Sequence, residues 1–355
     1  MSASDPKRTL PSHFLSAGWN RYDALSLTLG EAMRRRDFIR LIGGVAAWPF
    51  AVRAQQSEGK LPRVGAIHNI RSENSEAFEQ GLRDAGYVDG QNVLLEERFP
   101  GTTALDRLDE VARELVALKC AVIFASNPYG IRAATKGTST IPIVGVDLGS
   151  DPVASGLVKS IARPGGNFTG FFLDIPELGG KQIELLIEAV PRISRVAVLW
   201  DAAIGTIQFQ ATQKAPRPAG VTLQSLPFRR VEEINTAFEQ AAREQAQGLV
   251  VLSSPMIFTE RSHIADAALN ARLPSINLFN SFPKVGGLMA YGPYFPSLFT
   301  QAAGYVARIL GGANPAELPI QRPTKFELVI NLKTAKALSL TIPETLLVRA
   351  DQVIE

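Results

Sequence analysis

The sequence predicts an α/β protein built from two doubly wound parallel-sheet lobes joined by a hinge. After Gly59, short apolar runs rich in β-branched residues alternate with amphipathic helical patterns, as in strand–helix–strand units. The same alternation recurs in a second half, and the turn sequence RPGGN at 163–167 separates the two halves. The main alternative is a single (β/α)8 barrel, since about ten candidate strands could supply eight. A barrel needs no such interruption, so the two-lobed arrangement is favoured.

The first half is organised around residues 141–170. Residues 141–146 are apolar on both faces, as expected of a buried parallel strand, and the run ends on Asp147. The segment after it contains Pro152 and cannot continue the strand. Because open α/β sheets bind ligands beyond the carboxyl ends of their strands, this loop is expected to face a ligand.

Hydrophobic periodicity places the other elements of the first half. A helix over about 75–85 carries Phe78 and Leu82 on one face and ends at Gly86, which suits the position just after a helix. A second helix has an apolar stripe over 108–115. Further strands are expected at 63–67, 92–99 and 120–125, the last one followed by Ser126 and Asn127.

The second half repeats this rhythm. Helical stripes are expected over 183–190, 207–219, 234–242, 264–271 and 297–310, the second of them weakened by Pro216 and Pro218. Strands are expected at 195–200, 221–227, 248–252, 274–279 and 288–292. Residues 61–172 with about 293–320 are therefore expected to form the first lobe and residues 173–292 the second. Residues 321–355 are expected to form a C-terminal tail that packs near the hinge.

The N-terminal part has the character of an export signal. Residues 33–40 are strongly basic, twelve uncharged residues follow at 41–52, and small residues lead to a cleavage point near Ala54. Twelve residues are too few to cross a bilayer as a helix, so no stable membrane insertion of the mature chain is expected. The Arg35-Arg36 pair resembles a twin-arginine signal, which predicts a periplasmic protein. Residues 1–32 lack periodicity and are expected to be a non-native or disordered extension, with Met33 as the natural start.

Charge and cysteine content exclude other classes. The formal net charge is +3, but residues 1–54 hold eight basic and four acidic residues, which leaves 29 basic against 30 acidic residues in the rest. Nucleic-acid binding therefore loses its support. One cysteine, Cys120, precludes an internal disulfide, and Gln55 stands where a lipoprotein would need a cysteine.

Catalytic and metal-binding patterns are absent from the sequence. It contains no GxSxG, HExxH, GxxxxGK[ST] or GxGxxG pattern, and beyond residue 54 its only histidines are His68 and His263. Ser253, His68 and Asp147 could be combined into a triad, but nothing local links them. We therefore expect no enzyme, no metal and no cofactor.

A binding site is better supported, because polar residues follow many of the predicted strands. Serine and asparagine groups there would hold a carboxylate, and Asp147 or Asp201 would meet an ammonium or hydroxyl groups. The candidate ligand-binding residues are Asn69, Ser126, Asn127, Asp147, Asp201, Ser253, Ser254 and Tyr291. Each could equally serve only to cap the next helix or to form a turn. His68 also ends a strand, and the aromatic residues Tyr129, Trp200, Phe279 and Tyr291 could cover an apolar part of the solute, although Trp200 and Phe279 suit a core better.

Several sequence segments resemble one known family, the ABC-transporter substrate-binding proteins related to tryptophan- and tyrosine-binding periplasmic proteins. The matching segments are RRRDFI at 34–39, AQQ at 54–56, GLRDAGYVDGQNV at 81–93, IPIV at 141–144, DPV at 151–153, GLV at 156–158, RPGGNFTG at 163–170, GGLMAYG at 286–292 and QRPTKFELVINLKTAK at 321–336. The resemblance runs from Met33 to Glu355.

This resemblance implies a type I periplasmic binding fold that closes its two lobes on a small polar solute, an amino acid or a related compound. It also implies delivery of that solute to an ABC permease and ATPase. Many members have an Asn-Pro-rich loop where this chain has DAAIG at 201–205. This departure disfavours an aromatic amino acid as solute, and the acidic Asp201 there favours an amine or a hydroxyl-rich solute instead. A periplasmic sensory module with the same fold is the second hypothesis, and an enzyme on this fold is the third.

Overall fold

The computed structural model describes residues 60–101, 105–147, 151–173, 175–217 and 220–355. The predicted export signal and the N-terminal extension lie outside these residues. Two separate open sheets carry the fold of the described chain, and helices cover their faces. The prediction of two parallel-sheet lobes is therefore confirmed, and the barrel alternative is wrong.

The first sheet has five parallel strands in the order β2-β1-β3-β4-β5. Its strands are β1 (Arg63–Ile67), β2 (Leu94–Arg98), β3 (Val122–Ala125), β4 (Ile143–Asp147) and β5 (Phe168–Phe172), and the helices between them are α1 (Glu73–Asp84), α2 (Leu105–Ala117) and α3 (Pro128–Gly137). Strands β3, β4 and β5 are buried along their whole length, as expected of parallel strands covered by helices on both sides.

The second sheet has seven strands in the order β12-β11-β10-β9-β8-β6-β7. Its strands are β6 (Arg195–Asp201), β7 (Thr222–Phe228), β8 (Gly248–Val251), β9 (Ser275–Asn277), β10 (Met289–Pro293), β11 (Phe326–Asn331) and β12 (Gln352–Ile354). The helices from β5 onward are α4 (Ile175–Ala189), α5 (Ile207–Lys214), α6 (Glu233–Arg243), α7 (Pro255–Thr259), α8 (Arg261–Asn270), α9 (Ser281–Lys284), α10 (Phe295–Leu310), α11 (Leu332–Ala337) and α12 (Glu344–Leu347). Strands β7-β6-β8-β9-β10 repeat the order of the whole first sheet, and all their pairings are parallel.

Helix α10 follows β10 in the chain but packs on the first sheet. Phe299 of α10 contacts Phe124 of β3, with ring centroids 5.5 Å apart, and Tyr305 contacts Phe171 of β5 at 5.2 Å. Gly81 of α1 allows a close approach, since a Cβ atom there would lie 2.8 Å from Cβ of Ala303. The chain thus passes from the first sheet to α4, from β10 back to α10, and from α10 to β11, so three connections join the lobes.

Residues 321–355 were expected to form a tail near the hinge. In the structure, β11 pairs antiparallel with β10, and β12 pairs parallel with β11, so the segment extends the second sheet. Near its start, Gln321 bridges to Phe171 of β5, which keeps this end of the segment beside a connection between the lobes. The exact lobe boundaries stay a prediction.

A close backbone approach fixes the edge of the first sheet. Gly170 on β5 is paired with Gly145 on β4 and has a φ of 149°, which favours glycine. A Cβ atom on Gly170 would lie 2.0 Å from the carbonyl oxygen of Gly145. The two glycines therefore allow β4 and β5 to pair next to the loop that leaves Asp147.

Candidate ligand-binding site

A cleft that is open to solvent lies where loops of the two lobes meet beyond the carboxyl ends of their strands. The first lobe contributes loops after β1 and β3, the second contributes loops after β6, β8 and β9, and α10 closes one side. The lining residues are His68, Asn69, Ile70, Ser72, Asn74, Ser126, Asn127, Pro128, Val146, Ile204, Gln208, Ser253, Ser254, Pro255, Phe258, Phe279, Phe295 and Phe299.

Two similar loops, one from each lobe, form much of the polar lining. Ser-Asn-Pro at 126–128 leads from β3 into α3, and Ser-Ser-Pro at 253–255 leads from the β8 end into α7. Asn127 has φ −160° and ψ 162°, and Ser254 has φ −156° and ψ 163°, so the two backbones turn in the same way. We name these segments the twin loops. They result from the repeated strand–helix unit.

Each twin loop also caps the helix that follows it. The side-chain oxygen of Asn127 accepts a hydrogen bond from the backbone N–H of Gly130 at 2.9 Å. Oγ of Ser254 accepts one from the N–H of Ile257 at 3.0 Å. Capping and lining the cleft, which the sequence leaves as alternatives, are therefore combined in the same two residues.

Gln208 of α5 reaches into the cleft and holds Ser253. Its Nε2 donates to the Ser253 carbonyl oxygen at 2.9 Å. Its Oε1 accepts from the backbone N–H of Ser253 at 3.1 Å and from the Ser253 hydroxyl at 3.0 Å. Both residues are buried, so these three hydrogen bonds fix the twin loop of the second lobe.

The apolar side of the cleft consists of aromatic rings. Phe279 lies between Phe258 and Phe295, with ring centroids 5.0 and 5.2 Å away. Phe299 lies further along α10 and faces the ring of His68 at 6.3 Å. Among the lining residues given above, none is an aspartate, glutamate, lysine or arginine. The site therefore combines uncharged polar groups with a phenylalanine wall.

His68 belongs to the wall of the cleft, where the sequence places it as a strand-end residue. It is 1% exposed and stacks on Phe99 at 5.2 Å. Its Nε2 lies 3.1 Å from a carboxylate oxygen of Glu97 on β2, which in turn contacts Arg71. This arrangement orients the imidazole ring.

Asn69 makes contacts across the cleft from the first lobe to the second. Its Nδ2 lies 3.1 Å from Oγ1 of Thr259 and 3.4 Å from the carbonyl oxygen of Pro255, both on α7. A further contact between the lobes joins Lys284 of α9 to Glu73 of α1 at 3.8 Å.

The structure brings five of the eight predicted site residues into the lining, namely Asn69, Ser126, Asn127, Ser253 and Ser254. The other three are Asp147, Asp201 and Tyr291, and none of them lines the cleft. Asp147 is the last residue of β4 and only 2% exposed. Tyr291 lies in the middle of β10 and stacks on Phe326 of β11 at 5.9 Å, because it belongs to the strand and not to the loop after it.

Asp201 caps the short 3-10 turn Ala202–Ile204, since its Oδ1 accepts the N–H of Ala203 at 2.9 Å. Burial raises the pKa of its carboxyl group, and the hydrogen bond from the backbone N–H of Ala203 opposes that rise. The expectation that its carboxylate faces the solute directly has no support in this lining.

Of the four aromatic residues expected to cover the solute, only Phe279 lines the cleft. Trp200 packs in the core of the second lobe, where its Nε1 donates to Ser225 at 2.9 Å and its ring stacks on Phe209 at 5.1 Å. Tyr129 packs against the core of the first lobe, and burial raises the pKa of its hydroxyl, helped by the charge of Asp201.

Gln208, Phe295 and Phe299 line the cleft but are not singled out by the sequence. Phe295 and Phe299 are four residues apart on α10, a spacing that indicates only a buried helix face. In the part of the chain that the structure describes, no group of three or more His, Cys, Asp or Glu side chains could hold a metal ion. Among the described helices, none is long and apolar enough to cross a membrane.

Residues 66–354 match the protein family described as ABC transporter substrate binding protein. The chain belongs to this family. Family members are substrate-binding proteins and not enzymes, so both the family prediction and the prediction of a non-enzyme are confirmed.

Two proteins to which this chain is similar show how far the likeness extends. The "Tyrosine-binding protein" of Clostridioides difficile is 24% identical over 277 residues, which cover 77% of this chain and 78% of that protein. A crystal structure of a conserved domain protein from Vibrio cholerae is 25% identical, has a TM-score of 0.74, and is matched over 83% of this chain and 100% of that chain.

A solved ABC domain in complex with L-Trp, from Streptococcus pneumonia, has a TM-score of 0.75 and 21% identity, again over 83% of this chain and 100% of that chain. At this level of identity the likeness supports the fold. The fold of this substrate-binding protein is thus shared with solved relatives over the whole of their length.

Proposed function

We propose that this protein is the periplasmic substrate-binding component of an ABC importer and closes its two lobes on one small solute. The observation that carries the proposal is the cleft itself, in which the twin loops of the two lobes and a wall of phenylalanine rings surround the same space. A solute that contacts both lobes stabilises the form in which they are closed, because it binds that form more tightly.

The solute that suits this cleft is an amino acid with an aromatic or large apolar side chain. The rings of Phe258, Phe279 and Phe295 offer a surface for such a side chain. Hydroxyl and amide groups of the twin loops can hydrogen-bond an amino-acid head group. The relatives named above, a tyrosine-binding protein and an ABC domain with L-Trp, support the same class of solute.

An amine or a hydroxyl-rich solute, which the acidic Asp201 favours in the sequence, is less well supported. Asp201 is 1% exposed and does not line the cleft. The proposed solute therefore carries both an acceptor and a donor in its polar head.

The family and the sequence support the proposed location and partners. The basic segment and apolar run of 33–54 predict export to the periplasm, and membership of the family implies an ABC permease and ATPase as partners. Fractionation of cells that express the full chain tests the location. Uptake of labelled solute, with and without the chain, tests the transport role.

Solute binding is tested by thermal unfolding of the purified protein with a panel of amino acids, amines, aromatic acids and sugars. A solute present at 100 times its dissociation constant adds about 2.7 kcal/mol to the free energy of unfolding, and so raises the unfolding temperature. We expect the largest rise with L-tryptophan, L-tyrosine or another large apolar amino acid. A rise only with sugars or simple amines would refute the proposed solute.

The placement of the site is tested with two matched variants. Phe258→Ala removes a half-buried ring from the cleft wall, and Phe209→Ala removes a half-buried ring of the same lobe that contacts Trp200 outside the cleft. We expect the first to weaken solute binding at least tenfold and the second to leave it unchanged. Equal effects of the two variants would place the site elsewhere.

A further inference from the structure

The hydroxyl group of Ser253 donates its hydrogen to Gln208, within the protein. Gln208 Oε1 faces two donors of Ser253, its backbone N–H at 3.1 Å and its hydroxyl at 3.0 Å, while Gln208 Nε2 faces the Ser253 carbonyl oxygen at 2.9 Å. The amide orientation of Gln208 is thereby determined, because the flipped amide would place its NH2 group against an N–H and its oxygen against a carbonyl. The Ser253 hydroxyl therefore presents lone pairs, and so acts as an acceptor toward the cleft.

Asn127, on the twin loop of the first lobe, presents a hydrogen-bond donor to the cleft and not an acceptor. Its Oδ1 is used to accept the backbone N–H of Gly130 at 2.9 Å. The group that Asn127 can offer to a solute is thus its side-chain NH2, which only donates. Asn127 therefore offers a donor where Ser253 of the other twin loop offers an acceptor.

A helix end has the same sense as the donor group of Asn127. The ten-residue helix α3 begins at Pro128, so its positive N-terminal end lies at the twin loop of the first lobe. The first lobe therefore favours a negative group at this end of the cleft.

We infer that the cleft orients its solute, with the carboxylate toward Asn127 of the first lobe and the ammonium toward Ser253 of the second, and that Gln208 is the positioning residue that makes Ser253 an acceptor. This inference rests on the proposed function and adds to it the orientation of the solute and a requirement for both head groups.

The test uses calorimetry of the full exported protein with two sets of probes. One set is L-tryptophan, 3-indolepropionate, which lacks the ammonium, and tryptamine, which lacks the carboxylate. The second set is L-tyrosine with its corresponding acid and amine. The variants are Asn127→Asp, Ser253→Ala and Gln208→Met, and Ser225→Ala is a control that removes a hydroxyl of the same lobe outside the cleft.

Asn127→Asp keeps the helix cap but replaces the NH2 donor with an acceptor. We expect it to weaken binding of the amino acid and of the acid at least tenfold and not to weaken binding of the amine. Should this variant fail to fold, Asn127→Ser, which copies the cap of Ser254, is expected to weaken the same two probes.

Ser253→Ala and Gln208→Met are expected to weaken binding of the amino acid and of the amine about fivefold and to leave the acid unchanged. A purely structural role of Gln208 would instead reduce binding of all three probes alike.

The outcomes separate this inference from the proposed function. If the wild-type protein binds none of the six probes and no large apolar amino acid of the thermal-unfolding panel, the proposed solute class is wrong and the inference falls with it. If the wild-type protein binds the amino acids but the variants affect acid and amine equally, or with the two reversed, the inference alone is overturned. The inference is supported if Asn127→Asp weakens binding of the acid but not of the amine, and Ser253→Ala and Gln208→Met weaken binding of the amine but not of the acid. Ser225→Ala should bind all probes like the wild type.

Discussion

Replacing Asn69 with alanine tests whether a contact between the lobes determines the affinity for solute. Asn69 Nδ2 lies 3.1 Å from Oγ1 of Thr259 and 3.4 Å from the carbonyl oxygen of Pro255, across the cleft from its own lobe. If the lobes separate when no solute is bound, these hydrogen bonds exist only in the closed form. Asn69→Ala should then destabilise the closed form and leave each lobe intact.

The size of the effect follows from the geometry. An intramolecular hydrogen bond contributes about 0.5–1.5 kcal/mol net, and the 3.4 Å contact is too long to add much, so we expect a loss of about 1 kcal/mol. Since 1.4 kcal/mol corresponds to a factor of ten, this loss weakens solute binding about fivefold. The dissociation rate should account for most of the change, because the hydrogen bond must break before the cleft opens.

Calorimetry and stopped-flow fluorescence measure the affinity and the dissociation rate of Asn69→Ala, Thr259→Val and the double variant. If Asn69 acts through Thr259, the double variant should lose little more than either single variant. Asn235→Ala, an exposed substitution on α6 next to His263, is the control and should bind like the wild type.

Two results would refute this reasoning. Strictly additive losses would mean that Asn69 contacts the solute directly, as the sequence analysis expects. An unchanged affinity in Asn69→Ala would mean that the hydrogen bond across the cleft does not distinguish the closed form from the open one.

Three further predictions concern stability and reactivity. Gly170→Ala should lower the free energy of unfolding, measured in urea, by about 1–3 kcal/mol or more, because its Cβ would lie 2.0 Å from the carbonyl oxygen of Gly145. Gly166→Ala is the control and should leave this free energy unchanged, since a Cβ atom there would have open space around it. Burial raises the pKa of Asp201, so ionisation of this group in the folded protein costs the wild type stability as the pH rises from 4 to 7. Asp201→Asn has no such group and should therefore gain stability relative to the wild type over this range. Equal pH profiles of the two proteins would contradict this. Burial also raises the pKa of Cys120 to about 11, so a thiol reagent at pH 8 should label the protein only after unfolding.

The elements of the fold could be predicted because each carries a local signal. Fully apolar runs such as 141–146 indicate buried parallel strands, and the stripes of α1 and α2 have the helical period. The pairing of segment 326–331 carries no such local signal, because it joins β10 through contacts distant in sequence. The segment therefore appeared as a tail in the sequence and as part of the second sheet in the structure.

Residues of the candidate site could be predicted only where a polar residue directly follows a strand. Ser126, Asn127, Ser253 and Ser254 follow strands directly and lie in the cleft. Asp147 and Asp201 also end strands, but both side chains are buried outside the lining. Gln208 and Phe299 reach the cleft from helices, and their sequence neighbourhoods look like those of any amphipathic helix.

By itself, the sequence determined that this chain forms strand–helix repeats in two halves, that it contains none of the catalytic motifs named above, and which family it resembles. These properties depend on residue type and periodicity, which are local. Only the tertiary structure decided which polar groups share one cleft, that Asn69 spans it, and that Gln208 directs the Ser253 hydroxyl. These depend on the mutual placement of two sheets and α10, and hence on contacts between residues far apart in the chain.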